Sequence, residues 1–306
     1  MGVAVLFPGQ GTQVPGMGLP WRDHPSWTVV ERAEAAVGEP LALLLLEADA
    51  EQLGRTREAQ LAVMLMSLMA WEAVRNLVGQ PVAVAGHSLG QVTALVAAGT
   101  LSVEDGVRLA VRRAECTQGA ADRTGGRMAA LMGATVEQAE EACQPKAGAA
   151  RTCWVANDNA PGQVVVGGTP EGLEAAGARA RRLGVRKVMA LNVGGAFHTP
   201  LMASARDELE PELAATDFSA PAWPVVSNVD ARPYTDAAWA PRLADHLVEP
   251  VRWRQTMVTL TDLGAASSFE LGPGSVLSGL ARRIVPDHTV RNVAVPDDVA
   301  PLLEVA

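Results

Sequence analysis

Cysteine is scarce: the 306-residue chain has three, Cys116, Cys143 and Cys153. The number is odd and no Cys-x-x-Cys or Cys/His ligand spacing occurs, so neither a disulfide framework nor a zinc or other metal site is expected. Three buried, small apolar side chains in a reducing compartment are expected instead. Positive charge is also short, with 25 Lys and Arg against 34 Asp and Glu and a formal net charge of −9. A nucleic-acid backbone is repelled by such a chain, which argues against general nucleic-acid binding. Long apolar runs are missing: the longest, residues 61–71, is interrupted by Ser67 and falls short of the ~20 residues that span a bilayer. The first residues, Met1 to Phe7, run into Pro8-Gly9 with neither a basic segment nor an apolar stretch of signal-peptide length. A cytoplasmic protein that does not enter a membrane is therefore expected. No internal repeat or low-complexity segment occurs.

What is present reads as an ordinary globular chain, 48% hydrophobic and 19% charged, long enough for one large domain or two unequal ones. Strand signals at residues 3–7, 82–85, 224–228 and 268–271 alternate with helical stretches at 27–37, 60–76, 91–96, 103–119, 199–213, 237–247 and 251–263. Ser102 is placed to cap the 103–119 helix, and Pro200 sits near the first turn of 199–213. Such alternation favours an α/β fold with a mostly parallel sheet and helices on both faces. Between 125 and 194 the texture changes to strand, helix, strand, strand, helix, strand at 127–132, 136–143, 152–156, 164–166, 170–183 and 186–191. That βαββαβ order is ferredoxin-like. It predicts an inserted subdomain at 125–194, bounded by the Gly125-Gly126 and Gly194-Gly195 pairs, with residues 1–124 and 195–306 forming the large α/β domain.

The chemistry concentrates at Gly86-His87-Ser88-Leu89-Gly90, a Gly-x-Ser-x-Gly string directly after the 82–85 strand and directly before a helix. Strand, sharp turn and helix form the context of a nucleophile elbow, whose flanking glycines make room for a strained serine. Ser88 is the expected nucleophile; the bland reading is a βα turn whose serine caps a helix. A serine hydroxyl needs a base within hydrogen-bond reach, and the chain has five histidines. His24 and His288 lie in loop-like surroundings and are expected at the surface. His87 should diverge from Ser88 and shape the elbow. His198, in Gly194-Gly195-Ala196-Phe197-His198-Thr199-Pro200, stands at a strand–helix junction where a side chain can reach a cleft, and is preferred as base over His246. Two backbone donors are needed for a tetrahedral oxyanion. Leu89 N–H follows the elbow serine, and Gln10 N–H lies in the Gly-rich loop after the first strand.

Phe7-Pro8-Gly9-Gln10-Gly11-Thr12-Gln13, the Ser88 elbow, Asn159-Ala160-Pro161-Gly162-Gln163-Val164-Val165, Ala196-Phe197-His198-Thr199-Pro200-Leu201-Met202 and Glu270-Leu271-Gly272-Pro273-Gly274 follow one another in this order. Together they resemble malonyl-CoA:acyl-carrier-protein transacylases and the acyltransferase domains of polyketide synthases, over nearly the whole chain. The resemblance implies a hydrolase-like α/β domain with a ferredoxin-like insertion. It also implies ping-pong transfer of malonyl from a coenzyme A thioester substrate, through Ser88, to the phosphopantetheine thiol of an acyl carrier protein, with no bound cofactor. His198 would be base and then acid, Arg113 would grip the free carboxylate of malonate, and Gln60, Phe197 and His87 would line the acyl pocket.

Phe197 resembles the malonyl-selecting pattern, whereas methylmalonyl-selecting relatives carry a smaller residue there. The chain departs from the family pattern at Gln91, where glutamate is frequent, and at Gln60-Leu61-Ala62, where Gln-Pro-Ala is usual. It departs also at His246, where a glutamine carbonyl commonly orients the histidine; a backbone role survives that change. Two other readings stay open: a trans-acting acyltransferase or editing hydrolase for another acyl unit, and a non-catalytic carrier-protein-binding module. The Arg179, Arg181, Arg182, Arg186 and Lys187 cluster is a candidate docking surface or simply a solvated helix face.

Overall fold

In the computed structural model, residues 2–145 and 147–300 are described. The chain opens with β1 (Gly2–Phe7), followed by helices α1 (Thr28–Val37), α2 (Leu41–Leu46), α3 (Ala50–Leu53) and α4 (Thr56–Val78). Next come β2 (Ala83–Gly86), α5 (Gly90–Ala97) and α6 (Val103–Thr124). A second unit contains β3 (Arg127–Met132), α7 (Val136–Cys143), β4 (Cys153–Ala160), β5 (Gln163–Gly168), α8 (Pro170–Arg182) and β6 (Lys187–Ala190). The chain then returns through α9 (Ala203–Ala215), β7 (Val225–Val226), β8 (Pro233–Tyr234), α10 (Trp239–Val248), α11 (Trp253–Asp262), β9 (Ala265–Leu271), α12 (Val276–Ile284) and β10 (Thr289–Val293).

β1 is a short apolar run because it is buried on both faces of a sheet ordered β10-β9-β1-β2-β7-β8, parallel except for the β7–β8 pair. Its alternation sorts residues to two sides: Val5 and Phe7 join the core built on α4, α5 and α6, whereas Ala4 and Leu6 pack with Trp253, Met257 and Leu260 of α11 and Leu277 of α12. Helices thus cover both faces, as expected. The apolar run 61–71 is the middle of α4, which is long and apolar enough to cross a bilayer by composition alone, yet 67% of its most apolar stretch is buried within the protein. Each fully buried leucine or methionine there contributes about 1.5–3 kcal/mol of transfer free energy, which explains a helix apolar on nearly all sides.

The smaller sheet is antiparallel in the order β4-β5-β3-β6, with α7 and α8 contributed by the same βαββαβ sequence, in agreement with the ferredoxin-like expectation. It is tied to the larger unit by a bridge between Asn157 and Val251, where Asp158 N–H donates to Val251 O at 2.9 Å and Val251 N–H to Ala156 O at 2.9 Å. Arg254 adds an ion pair to Asp158 at 2.9 Å.

The structure extends several predicted elements and adds others. Helix 103–119 continues to Thr124, with Ser102 Oγ accepting from Asp105 N–H at 3.0 Å as its cap. The 199–213 segment splits into a 3-10 turn, Pro200–Met202, and α9. α12, β8 and β10 were not anticipated. All three cysteines are buried and free, as expected.

Candidate functional site

β1 and β2 run parallel and side by side, so both carboxyl ends open on the same edge of the sheet, next to β9. Ligands of open α/β sheets collect at such an edge. β1 delivers Pro8-Gly9-Gln10, and β2 delivers the elbow. Ser88 is one of three described non-glycine residues with positive φ, at 53°. Two close approaches make its glycines obligatory: a Cβ on Gly86 would collide with the carbonyl of Gly90, and one on Gly90 would strike the carbonyl of Phe7.

Ser88 Oγ lies 2.7 Å from His198 Nε2, and His198 Nδ1 lies 2.8 Å from the carbonyl oxygen of His246. A carbonyl can only accept, so Nδ1 carries the hydrogen and Nε2 presents its lone pair to the hydroxyl. His198 is buried and itself has a positive φ of 59°, which throws its ring from the β6–α9 connection across to the elbow. Its pKa is pushed down to about 3, first by burial and then by the charge of Arg113, with the His246 carbonyl opposing. At neutral pH the ring is therefore in its basic form. His246 is buried at the end of α10, its ring 4.9 Å from that of His198, and its own pKa is held well below the usual imidazole range by burial.

α6 shows how Arg113 reaches the same point. Val107, Leu109, Ala110, Ala114 and Ala121 form its buried stripe, and Arg113 falls on that stripe while Arg112 faces solvent and pairs with Glu115 at 3.3 Å. The Arg113 guanidinium donates to Gln60 Oε1 at 2.6 Å and lies 3.4 Å from Ser88 Oγ. It is 6% exposed and enters no ion pair among the described residues. Burial lowers its pKa to about 10, which leaves it charged at pH 7.

Above these groups lies a cleft of about 250 Å³ between the two sheets. Pro8 to Thr12, His87, Ser88 and His198 line it from one side, and Asn157, Asn159, Val165 and Phe197 from the other. Gln60 and Arg113 sit behind Ser88 and do not line the open cleft. His87 Nε2 meets Asn159 Oδ1 at 2.8 Å, and its ring packs 5.4 Å from Trp253, turned away from Ser88 Oγ as anticipated. Among the described residues no acceptor takes the N–H of Gln10 or of Leu89. The arrangement can activate a hydroxyl, receive an oxyanion on two unused N–H groups and neutralise an anion beside the reacting oxygen.

One expectation fails outright. His288 is buried, with Nε2 2.7 Å from Ser268 Oγ, because the β10 strand that follows it closes the sheet edge over β9. His24 is half-buried and caps a 3-10 turn, its Nδ1 accepting from Ser26 N–H at 3.2 Å. In the basic cluster, Arg179 donates to Gln144 O, and Arg179, Arg181 and Arg182 all fall in the last turn of α8, where cations complement the helix dipole. Asn228 was missed: it carries hydrogen bonds from both sides of the elbow and no sequence motif marks it.

The acyl transferase domain family matches residues 5–297. The chain is 36% identical over 307 residues to the malonyl CoA-acyl carrier protein transacylase of Escherichia coli K12, with 98% of each chain covered. It is 38% identical over 284 residues to a polyketide biosynthesis malonyl CoA-acyl carrier protein transacylase of Bacillus velezensis, covering 92% of this chain and 96% of that one. A solved malonyl-transacylase in complex with its type II polyketide-synthase acyl carrier protein superposes with a TM-score of 0.94 at 32% identity, covering 100% of both chains. The fold, the elbow and these likenesses agree, and the chain belongs to the acyltransferase family of the malonyl-CoA:acyl carrier protein transacylases.

Proposed function

We propose that this enzyme moves malonyl from malonyl-CoA to the phosphopantetheine thiol of an acyl carrier protein through a Ser88-linked acyl-enzyme. Arg113 is the observation that carries the reading. A buried guanidinium without an acidic partner is costly, and it stands 3.4 Å from the expected nucleophile. A transferase of neutral acyl chains has no use for it, whereas the free carboxylate of malonyl supplies the missing counter-charge in a planar, two-point geometry.

In the first half-reaction Ser88 Oγ attacks the thioester carbonyl as His198 Nε2 takes its proton. The tetrahedral oxyanion is received by Gln10 N–H and Leu89 N–H. Collapse breaks the C–S bond, and the departing coenzyme A sulfur takes the proton from His198. In the second half the carrier thiol gives its proton to His198 and attacks the Ser88 ester, and Oγ leaves with that proton. The His246 carbonyl keeps His198 in the correct tautomer throughout. Gln60 orients Arg113, while Phe197 and His87 shape the acyl pocket. A phenyl ring at 197 crowds an α-methyl branch, an effect worth about 1–3 kcal/mol.

We take residues 1–124 with 195–306 as one lobe and 125–194 as the other, with the pantetheine arm lying in the cleft between them. Relatives include a protein named for polyketide biosynthesis, and carriers of fatty-acid or polyketide synthesis offer the same thiol. The reading places the enzyme in the cytoplasm with its thioester substrates.

Intact-mass spectrometry after brief exposure to malonyl-CoA, methylmalonyl-CoA or acetyl-CoA tests this. A malonyl adduct is expected on the native protein and none on Ser88→Ala. A normal adduct on Ser88→Ala would refute the assignment, and absence of adducts from all three would point to an acyl donor already carried on a protein.

A further inference from the structure

β2 ends at Gly86, and its parallel partner β7 ends at Val226 opposite Ala85. Beyond that point the backbone ladder gives out because the elbow turns away, and a side chain two residues past β7 takes over. Asn228 Oδ1 accepts the Ser88 N–H at 2.8 Å, and Asn228 Nδ2 donates to Gly86 O at 2.7 Å. One amide therefore grips the residue on each side of His87. The amide is itself fixed: Asn228 N–H donates to Gln91 Oε1 at 2.9 Å, and Asn228 O accepts Arg252 N–H at 2.9 Å. All the polar groups of Asn228 are thereby engaged, and the residue is 1% exposed.

A left-handed serine persists only where its surroundings over-determine it. We infer that Asn228 is the positioning residue that holds Ser88 in its left-handed conformation and so aims both Oγ and the Leu89 N–H. This rests on Ser88 being the nucleophile. Asn228 touches no substrate; its effect passes through the backbone of the turn. Alanine at 228 leaves the Ser88 N–H and the Gly86 carbonyl buried without partners. Aspartate keeps the acceptor for Ser88 but sets a second acceptor against the Gly86 carbonyl.

The test is the rate at which a fluorophosphonate labels Ser88 in Asn228→Asp and Asn228→Ala, with thermal unfolding followed in parallel. In that reaction the Oγ–P bond forms, the P–F bond breaks, fluoride leaves and His198 takes the Oγ proton, so no malonyl group is involved. Both variants are expected to label about 10- to 100-fold more slowly. Their kcat for malonyl transfer should fall by a similar factor with KM little changed, and acetyl and malonyl adducts should be slowed equally, since a misaimed nucleophile does not discriminate. Native labelling rates in folded variants would overturn the proposal, as would a lowered melting temperature with kcat intact. If neither variant folds, Gln91→Ala, which loosens Asn228 through its backbone N–H, carries the test: slower labelling supports the proposal and an unchanged rate overturns it. Native protein that takes the phosphonate but never malonyl would remove the malonyl reading and leave Asn228 in its role.

Discussion

Arg113 illustrates how a single residue can state a preference for an anion. An arginine on the buried stripe of an amphipathic helix is legible in sequence once the helix is placed, because it breaks the apolar pattern of α6 where Arg112 does not. Its pairing with Gln60, 53 residues earlier, is not legible. A hydrogen bond to a charged group is worth about 1.5–3 kcal/mol, so Arg113→Ala is expected to slow malonyl transfer roughly 10- to 100-fold while sparing acetyl transfer. Lysine should restore little, since it lacks the planar fork. The malonyl-to-acetyl ratio of adduct formation is the check, and an unchanged ratio would remove Arg113 from the carboxylate role. Asn228 marks the other limit: nothing in a Ser-Asn-Val string announces a clamp, because its partners at Gly86 and Ser88 are about 140 residues away in the chain.

The elbow is an element whose geometry rests on close approach. Gly86→Ala would force Cβ into the Gly90 carbonyl, a clash between backbone groups that no rotamer relieves, and should cost about 1–3 kcal/mol or more together with Ser88 reactivity. Gly38→Ala, at φ 73° with nothing near the new methyl, should cost only about 1–2 kcal/mol and leave activity intact. Urea titration and adduct formation on the two variants separate these outcomes. At α10 the relevant group is the His246 carbonyl, so His246→Gln is expected to retain transfer within a few-fold; a large fall in kcat would assign the imidazole a direct part. α12 escaped the sequence reading because its start signal is remote: Ser275 makes no side-chain cap, and the buried Glu270 carboxylate of β9 accepts Leu277 N–H at 2.9 Å and Ser278 N–H at 2.7 Å instead. Burial raises the Glu270 pKa even so.

Across the whole molecule, four histidines make stability depend on pH. His87, His198, His246 and His288 all have pKa values below the usual imidazole range, burial being the largest cause for each. In the unfolded chain they titrate near ~6.5. Below that value the unfolded state binds more protons than the folded one, so stability is full above pH ~6.5 and is lost as pH falls toward the folded value of about 3 for His198. The melting temperature should fall steadily between pH 6.5 and 4, and less steeply in His246→Gln; equal slopes would exclude His246 as a contributor. Local sequence determined the core strands, the individual strands and helices of the βαββαβ insertion and the elbow, and favoured His198, because each rests on a pattern within about a dozen residues. Tertiary structure alone decided that His288 is covered by β10, that Glu270 caps α12 and that Asn228 grips the elbow. Those contacts join groups whose neighbourhood exists only after the sheet has closed, and no short-range pattern encodes them.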